Sequence, residues 1–77
     1  MIGYSLNVVN ANKEADQKLP GVRLGRLCIQ HDIPIEQIAK KCGVSRVTIY
    51  SWFKGAVKPT ASKLPTVMKL IDSLNAK

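Results

Sequence analysis

Four side chains within six consecutive residues could recognise the edges of nucleic-acid bases. They are Arg46, Val47, Ser51 and Tyr50, given in the order in which we expect them to matter, and a helix would present them on one face. Arginine can donate two hydrogen bonds to guanine, a valine methyl group can contact the thymine methyl group, and hydroxyl groups can bond to base edges or phosphates.

The stretch before this set predicts a short helix. Apolar residues spaced three and four apart form one stripe, and Gly43 ends the pattern. Pro34 is tolerated in the first turn, where its missing N–H would have no partner. The stripe consists of Ile35, Ile38, Ala39 and Cys42.

A second helix begins almost at once and carries the candidate set. Ser45 can cap it by accepting a hydrogen bond from a backbone N–H of the next turn, and Gly55 supplies the positive φ that a helix end often needs. Its own apolar stripe, Ile49, Trp52 and Phe53, faces the opposite way from the candidate set. The chain therefore contains two short helices joined by a tight turn.

On these residues, the stretch 33–55 resembles the helix-turn-helix of the phage-repressor and Cro family of DNA-binding proteins. The resemblance extends over residues 22–74. It implies an all-α, compact, lambda-repressor-like domain of four to five helices that binds double-stranded DNA. The matching residues are Ile38, Ala39, Gly43, Val44, Ser45, Thr48, Ile49, Gly55 and Pro59.

The chain departs from this family at four positions, and the first is Pro34, where relatives usually have Ser or Thr. Relatives often have Gln at the position of Ile35, where it bonds to phosphate, and isoleucine cannot do so. Many relatives also bury an Arg and a Glu as an ion pair at the positions of Cys28 and Phe53. Both are apolar here, and packed hydrophobic side chains can replace a buried pair without loss of stability.

Phosphate contacts are expected from residues around the second helix. The resemblance places a basic loop along the DNA backbone there, and such contacts fix position without reading sequence. A local hydrogen bond at the helix start is the alternative role for Thr48. The candidates are Thr48, Lys58, Lys54, Lys40 and Ser45.

The positive charge is concentrated in the same part of the chain. Residues 1–20 are neutral, whereas residues 21–77 carry ten Lys or Arg against three acids, which accounts for the whole net charge of +7. Such a segment is attracted to polyanions. Solvated surface lysines are the alternative explanation of the charge alone.

Other functional classes find little support. The two cysteines, Cys28 and Cys42, fall on apolar stripes and fit neither metal spacing nor a disulfide framework, which favours a reducing cytoplasm. His31 is expected to be a polar residue near a helix C-terminus. No cofactor, membrane span or secretion signal is indicated. Five acids and one histidine provide no catalytic constellation, so an enzyme is not expected.

The flanking segments complete the expected architecture. Residues 1–20 are an N-terminal extension with near alternation of Ile2, Tyr4, Leu6 and Val8, which predicts a short strand or an extended arm, with a mobile chain end as the alternative. Residues 21–77 form the helix-turn-helix domain. Its first helix runs from Pro20 and Gly21 to about His31. Its last helix starts near residue 63 with Ser62 as cap, and Leu70 and Leu74 could also serve a dimer surface.

The leading hypothesis is therefore a sequence-specific DNA-binding regulator that resembles small Cro-like phage or prophage repressors. It would act as a homodimer on a palindromic operator, in the cytoplasm, without a small-molecule substrate. A helix-turn-helix module for protein contact, of antitoxin or anti-repressor type, and a recombination accessory factor are the alternatives. Burial of Trp52 would favour DNA binding, whereas its exposure would favour a protein interface.

Overall fold

The computed structural model describes residues 4–76, which form five helices and no strand. The prediction of an all-α helix-turn-helix domain is confirmed. The helices are α1 (Leu6–Glu14), α2 (Pro20–Gln30), α3 (Ile35–Cys42), α4 (Arg46–Lys54) and α5 (Leu64–Asn75).

Leu6–Glu14 form a helix, so the prediction of a strand or arm is wrong for these residues; Ile2 lies outside the described residues. Ser5 caps α1, and its hydroxyl accepts a hydrogen bond from the N–H of Val8 at 3.3 Å. The inward side of α1 carries half-buried Val8 and Val9 and a fully buried asparagine, Asn12. A polar residue at the most buried position removes the apolar periodicity by which a helix is recognised.

Helix α2 lies at the centre of the fold, where it packs against α1, α4 and α5. Pro20 occupies its first position, as predicted. Two glycines allow α4 to approach closely. A Cβ on Gly21 would lie 2.8 Å from Trp52 Cβ, and one on Gly25 would lie 2.6 Å from Phe53 Cγ. Because real Cβ atoms essentially never come this near, only glycine permits this spacing of the two helices.

Three of the four connections between the helices open with the same turn. A residue with positive φ follows the helix: Asp32 (55°) after α2, Gly43 (68°) after α3 and Gly55 (77°) after α4. The next N–H then bonds to a carbonyl of the last helical turn, five residues earlier. These bonds run from Ile33 to Cys28 (2.9 Å), from Val44 to Ala39 (3.1 Å) and from Ala56 to Ser51 (3.0 Å). The two glycines were predicted, whereas Asp32 was not.

Helix α5 closes the core, but Ser62 does not cap it. The helix starts at Leu64, and the carbonyl of Thr60 accepts from the N–H groups of Lys63 and Leu64 at 3.0 and 2.9 Å. The hydroxyl groups of Thr60 and Ser62 lie 3.1 Å apart instead. Leu74 is buried in the core, together with Leu24, Cys28, Ile38, Ile49, Phe53, Val67 and Ile71.

Candidate nucleic-acid interface

Two hydroxyl groups form hydrogen bonds at the start of α4. Ser45 is the N-cap, as predicted, and its Oγ accepts from the N–H of Thr48 at 3.2 Å. The Oγ atoms of Ser45 and Thr48 are also hydrogen-bonded, at 3.0 Å. The local bond that we gave as the alternative role of Thr48 therefore forms. Phosphate contact by these two residues stays a prediction.

The four candidate base readers of α4 lie outside its buried stripe, although Tyr50 also packs against the core. Arg46 and Val47 are exposed, and Val47 retains 74% of its accessible surface. Tyr50 and Ser51 are half-buried at the edges of this face. These residues supply a guanidinium group, the two methyl groups of a valine and two hydroxyl groups, all of which can bond to or contact base edges in a major groove. We call this surface the reading face.

The buried stripe of α4 decides the question that the sequence raised about Trp52. Trp52 is 2% exposed, and Ile49 and Phe53 are completely buried. Since the indole packs into the core, it cannot anchor a protein partner. By the criterion stated above, this burial favours the DNA-binding interpretation.

Three lysines among the predicted phosphate contacts lie at the surface. Lys54 ends α4 on its exposed side, Lys40 lies on α3, and Lys58 lies in the loop that follows α4. All three are exposed, and the structure pairs none of them with a carboxylate among residues 4–76. Their ammonium groups are therefore available to an anion.

Arg46 has a partner that sequence reasoning missed. Its Nη1 donates a hydrogen bond to Oε1 of Glu36, in the first turn of α3, at 3.2 Å. Both side chains are mostly exposed. No sequence signal joins the two residues, because the turn between the helices, rather than a helical repeat, sets their separation.

A second contact that sequence reasoning missed lies at the C-terminal end of α4. Nδ2 of Asn12 donates to the carbonyl of Phe53 at 2.8 Å and to that of Val22 at 3.0 Å, and Asn12 is 1% exposed. The Phe53 carbonyl is among the last four of its helix, which have no partner within the helix. Helix α1 therefore caps the C-terminal end of α4 from outside the helix-turn-helix.

Tyr4 makes further contacts between the N-terminal segment and the domain. Its hydroxyl donates to the carbonyl of Ile33, between α2 and α3, and its ring lies 6.0 Å from the ring of Phe53, tilted by 46°. Burial raises the pKa of Tyr4 well above the ordinary value, with smaller contributions from Cys28 and Tyr50. The hydroxyl therefore remains protonated and acts as a donor.

The cysteines are buried, as the sequence predicted, and both are free thiols. Burial raises the pKa of the Cys28 thiol to about 12, with a smaller contribution from Cys42. Burial likewise raises the pKa of Cys42. Both residues therefore serve as small apolar side chains, and Cys28 and Phe53 are both apolar and completely buried where relatives have an ion pair.

Residues 4–76 contain no group of three His, Cys, Asp or Glu side chains that could hold a metal ion. None of the described helices is both long and apolar enough to span a bilayer.

Comparison with known families agrees with this geometry. The model of the Cro/C1-type helix-turn-helix family matches residues 24–75, which is more than half of the chain. The protein therefore belongs to this helix-turn-helix family, whose members are DNA-binding regulators and are generally not enzymes. Neither the curated proteins nor the solved structures contain a match to the chain. Helix α1 lies outside the matched residues.

Proposed function

We propose that the protein is a Cro-like transcriptional repressor of phage or prophage type that binds a palindromic operator through α4. The observation that carries this proposal is the reading face, which is exposed on a helix whose two ends are both capped and whose tryptophan is buried. Residues 21–77 are the DNA-binding domain in this proposal, with residues 1–20 as an extension, and the site of action is the cytoplasm of a bacterium or an infected cell.

The proposed division of labour follows from exposure and chemistry. Arg46 bonds to guanine and Val47 contacts thymine, while Ser51 and Tyr50 bond at the edges of the reading face. Phosphate contacts position the helix in the groove. They come from Lys58, Lys54, Lys40, Thr48 and Ser45.

A homodimer is part of the proposal because one chain carries one recognition helix. The longest extent of the Cα trace is 30 Å. Half-sites of helix-turn-helix dimers lie about 34 Å apart along the DNA. A single domain can therefore occupy one half-site, and two copies are needed for a palindrome. Occupancy of the operator would exclude polymerase.

A binding titration tests this proposal. The protein is titrated onto DNA flanking its own gene and onto a scrambled duplex of equal length, at two salt concentrations. Retained preference for one site as salt rises would support base-specific contact, because phosphate contacts weaken with salt and do not distinguish sequences. Equal, salt-sensitive binding to both duplexes would contradict the proposal and turn attention to the protein-interaction and recombination alternatives.

The variant Arg46→Ala assigns the preference to the reading face. It should weaken binding to the preferred site by about 1 to 3 kcal/mol and relax the preference at one base pair. Lys58→Ala is the comparison, because loss of a phosphate contact should weaken binding to both duplexes equally and reduce the salt slope by about one.

A further inference from the structure

The side chains of Glu36 and Arg46 form an ion pair at the edge of the reading face. Nη1 of Arg46 lies 3.2 Å from Oε1 of Glu36, and the side chains are 62% and 65% exposed, respectively. The pair joins the first turn of α3 to the first residue of α4. These are the two helices of the helix-turn-helix.

The stability of the free protein does not explain this pair. Exposed ion pairs contribute little to folding. Arg46 also lies at the N-terminal end of α4, where the helix dipole disfavours a cation, whereas Glu36 lies at the corresponding end of α3, where an anion is favoured. We therefore expect the pair to affect how Arg46 contacts a ligand.

The ion pair restricts the orientation of the Arg46 side chain but leaves most of its hydrogen-bond donors unengaged. One N–H of Nη1 is engaged with Glu36, and a guanidinium group has five N–H bonds in all. Two parallel donors remain for the O6 and N7 acceptors of guanine. A phosphate that approaches the same arginine also approaches the negative charge of Glu36, and the two like charges repel each other.

We propose that Glu36 is a positioning residue for Arg46 that determines DNA specificity by directing the guanidinium to a guanine edge and away from phosphate. This inference rests on the proposed function, since it concerns how the same reading face selects a base. Guanine presents uncharged acceptors, so the carboxylate opposes guanine contact less than it opposes phosphate contact.

Removal of the charge should act in opposite directions on the two kinds of binding. In Glu36→Gln, binding to a random duplex should strengthen about threefold and its salt slope should steepen by about one, because one more phosphate can be neutralised. The preference for guanine over other bases at the position read by Arg46 should fall by about threefold or more.

The experiment begins with selection of a preferred duplex from a random pool by the unaltered protein. The position read by Arg46 is identified as the one at which Arg46→Ala loses discrimination. Glu36→Gln, Arg46→Ala and the double variant are then titrated onto the selected duplex, onto one with that base pair replaced, and onto a random duplex at two salt concentrations. Glu14→Gln removes an exposed acid from α1 and is the matched control. Thermal unfolding establishes that each variant is folded.

The inference is supported if Glu36→Gln lowers the guanine preference, Glu14→Gln does not, and Glu36→Gln has no further effect on that preference in the Arg46→Ala background. It is overturned if Glu36→Gln keeps the original preference, or if Glu14→Gln lowers it equally. Should the unaltered protein select no site, the proposed function itself fails. A selected site with an unchanged Glu36→Gln variant contradicts this inference alone.

Discussion

The two ends of the recognition helix are held in different ways. The N-terminal end is capped by Ser45, the residue that directly precedes it, whereas the C-terminal end receives a hydrogen bond from Asn12, 41 positions before Phe53. One cap is local and requires a single favourable residue type. The other requires that α1, α2 and α4 already be packed together. The comparison shows that the second helix of a helix-turn-helix can depend on a segment outside that motif.

The largest loss of stability is expected from a substitution at Gly25, which lies against both Phe53 and Asn12. A Cβ on Gly25 would lie 2.6 Å from Phe53 Cγ and 2.7 Å from Asn12 Nδ2. Gly25→Ala should therefore push α4 and Asn12 apart and lower the free energy of unfolding by about 3 kcal/mol or more. Urea denaturation measures this. If the variant were as stable as the unaltered protein, α2 and α4 could move apart at no cost in free energy.

The distant cap itself is tested by Asn12→Ala. Loss of the amide leaves the buried carbonyl of Phe53 without its donor, and we expect a cost of about 2 kcal/mol in the free energy of unfolding. Hydrogen exchange should accelerate in the last turn of α4 more than in the first. The control is Asn10→Ala, an exposed asparagine of the same helix, which should change stability by less than about 0.5 kcal/mol.

The two glycine turns on either side of α4 differ in their surroundings. Both require a positive φ, which costs an alanine about 1 to 2 kcal/mol. A Cβ on Gly55 would also lie 3.2 Å from Val22 Cγ2 and 3.3 Å from Ala15 Cβ, whereas one on Gly43 would meet only the flexible end of Lys63, at 3.4 Å. Gly55→Ala should therefore destabilise the protein more than Gly43→Ala in thermal unfolding. The reverse order would mean that Val22 and Ala15 do not constrain this turn.

The local cap should give the smallest effect. Ser45→Ala removes the acceptor for the N–H of Thr48 and should cost about 1 kcal/mol, with faster hydrogen exchange in the first turn of α4 only. Ser62→Ala is the matched control, because Ser62 caps no helix here and its loss should be nearly neutral. If Ser45→Ala also loosened the last turn of α4, the two caps would be coupled, contrary to this comparison.

Much of the domain could be predicted because its signals are local. Apolar residues spaced three and four apart placed α3, and Pro20 with Gly21 placed the start of α2. Glycine placed the ends of α3 and α4, where only a residue without a side chain adopts positive φ at no steric cost. The candidate base readers followed from the stripe that α4 buries, since the exposed face lies opposite it. Their contacts with DNA remain predictions.

The sequence by itself therefore determined the helix-turn-helix and its reading face. The tertiary structure alone decided the role of the N-terminal segment, since Asn12 and Tyr4 are recognisable as buried donors only when the carbonyls of Phe53 and Ile33 are in place. It also decided the pairing of Glu36 with Arg46. The physical reason is the same in each case. A hydrogen bond between distant segments has no period along the chain, so its two partners become visible only when packing brings them together.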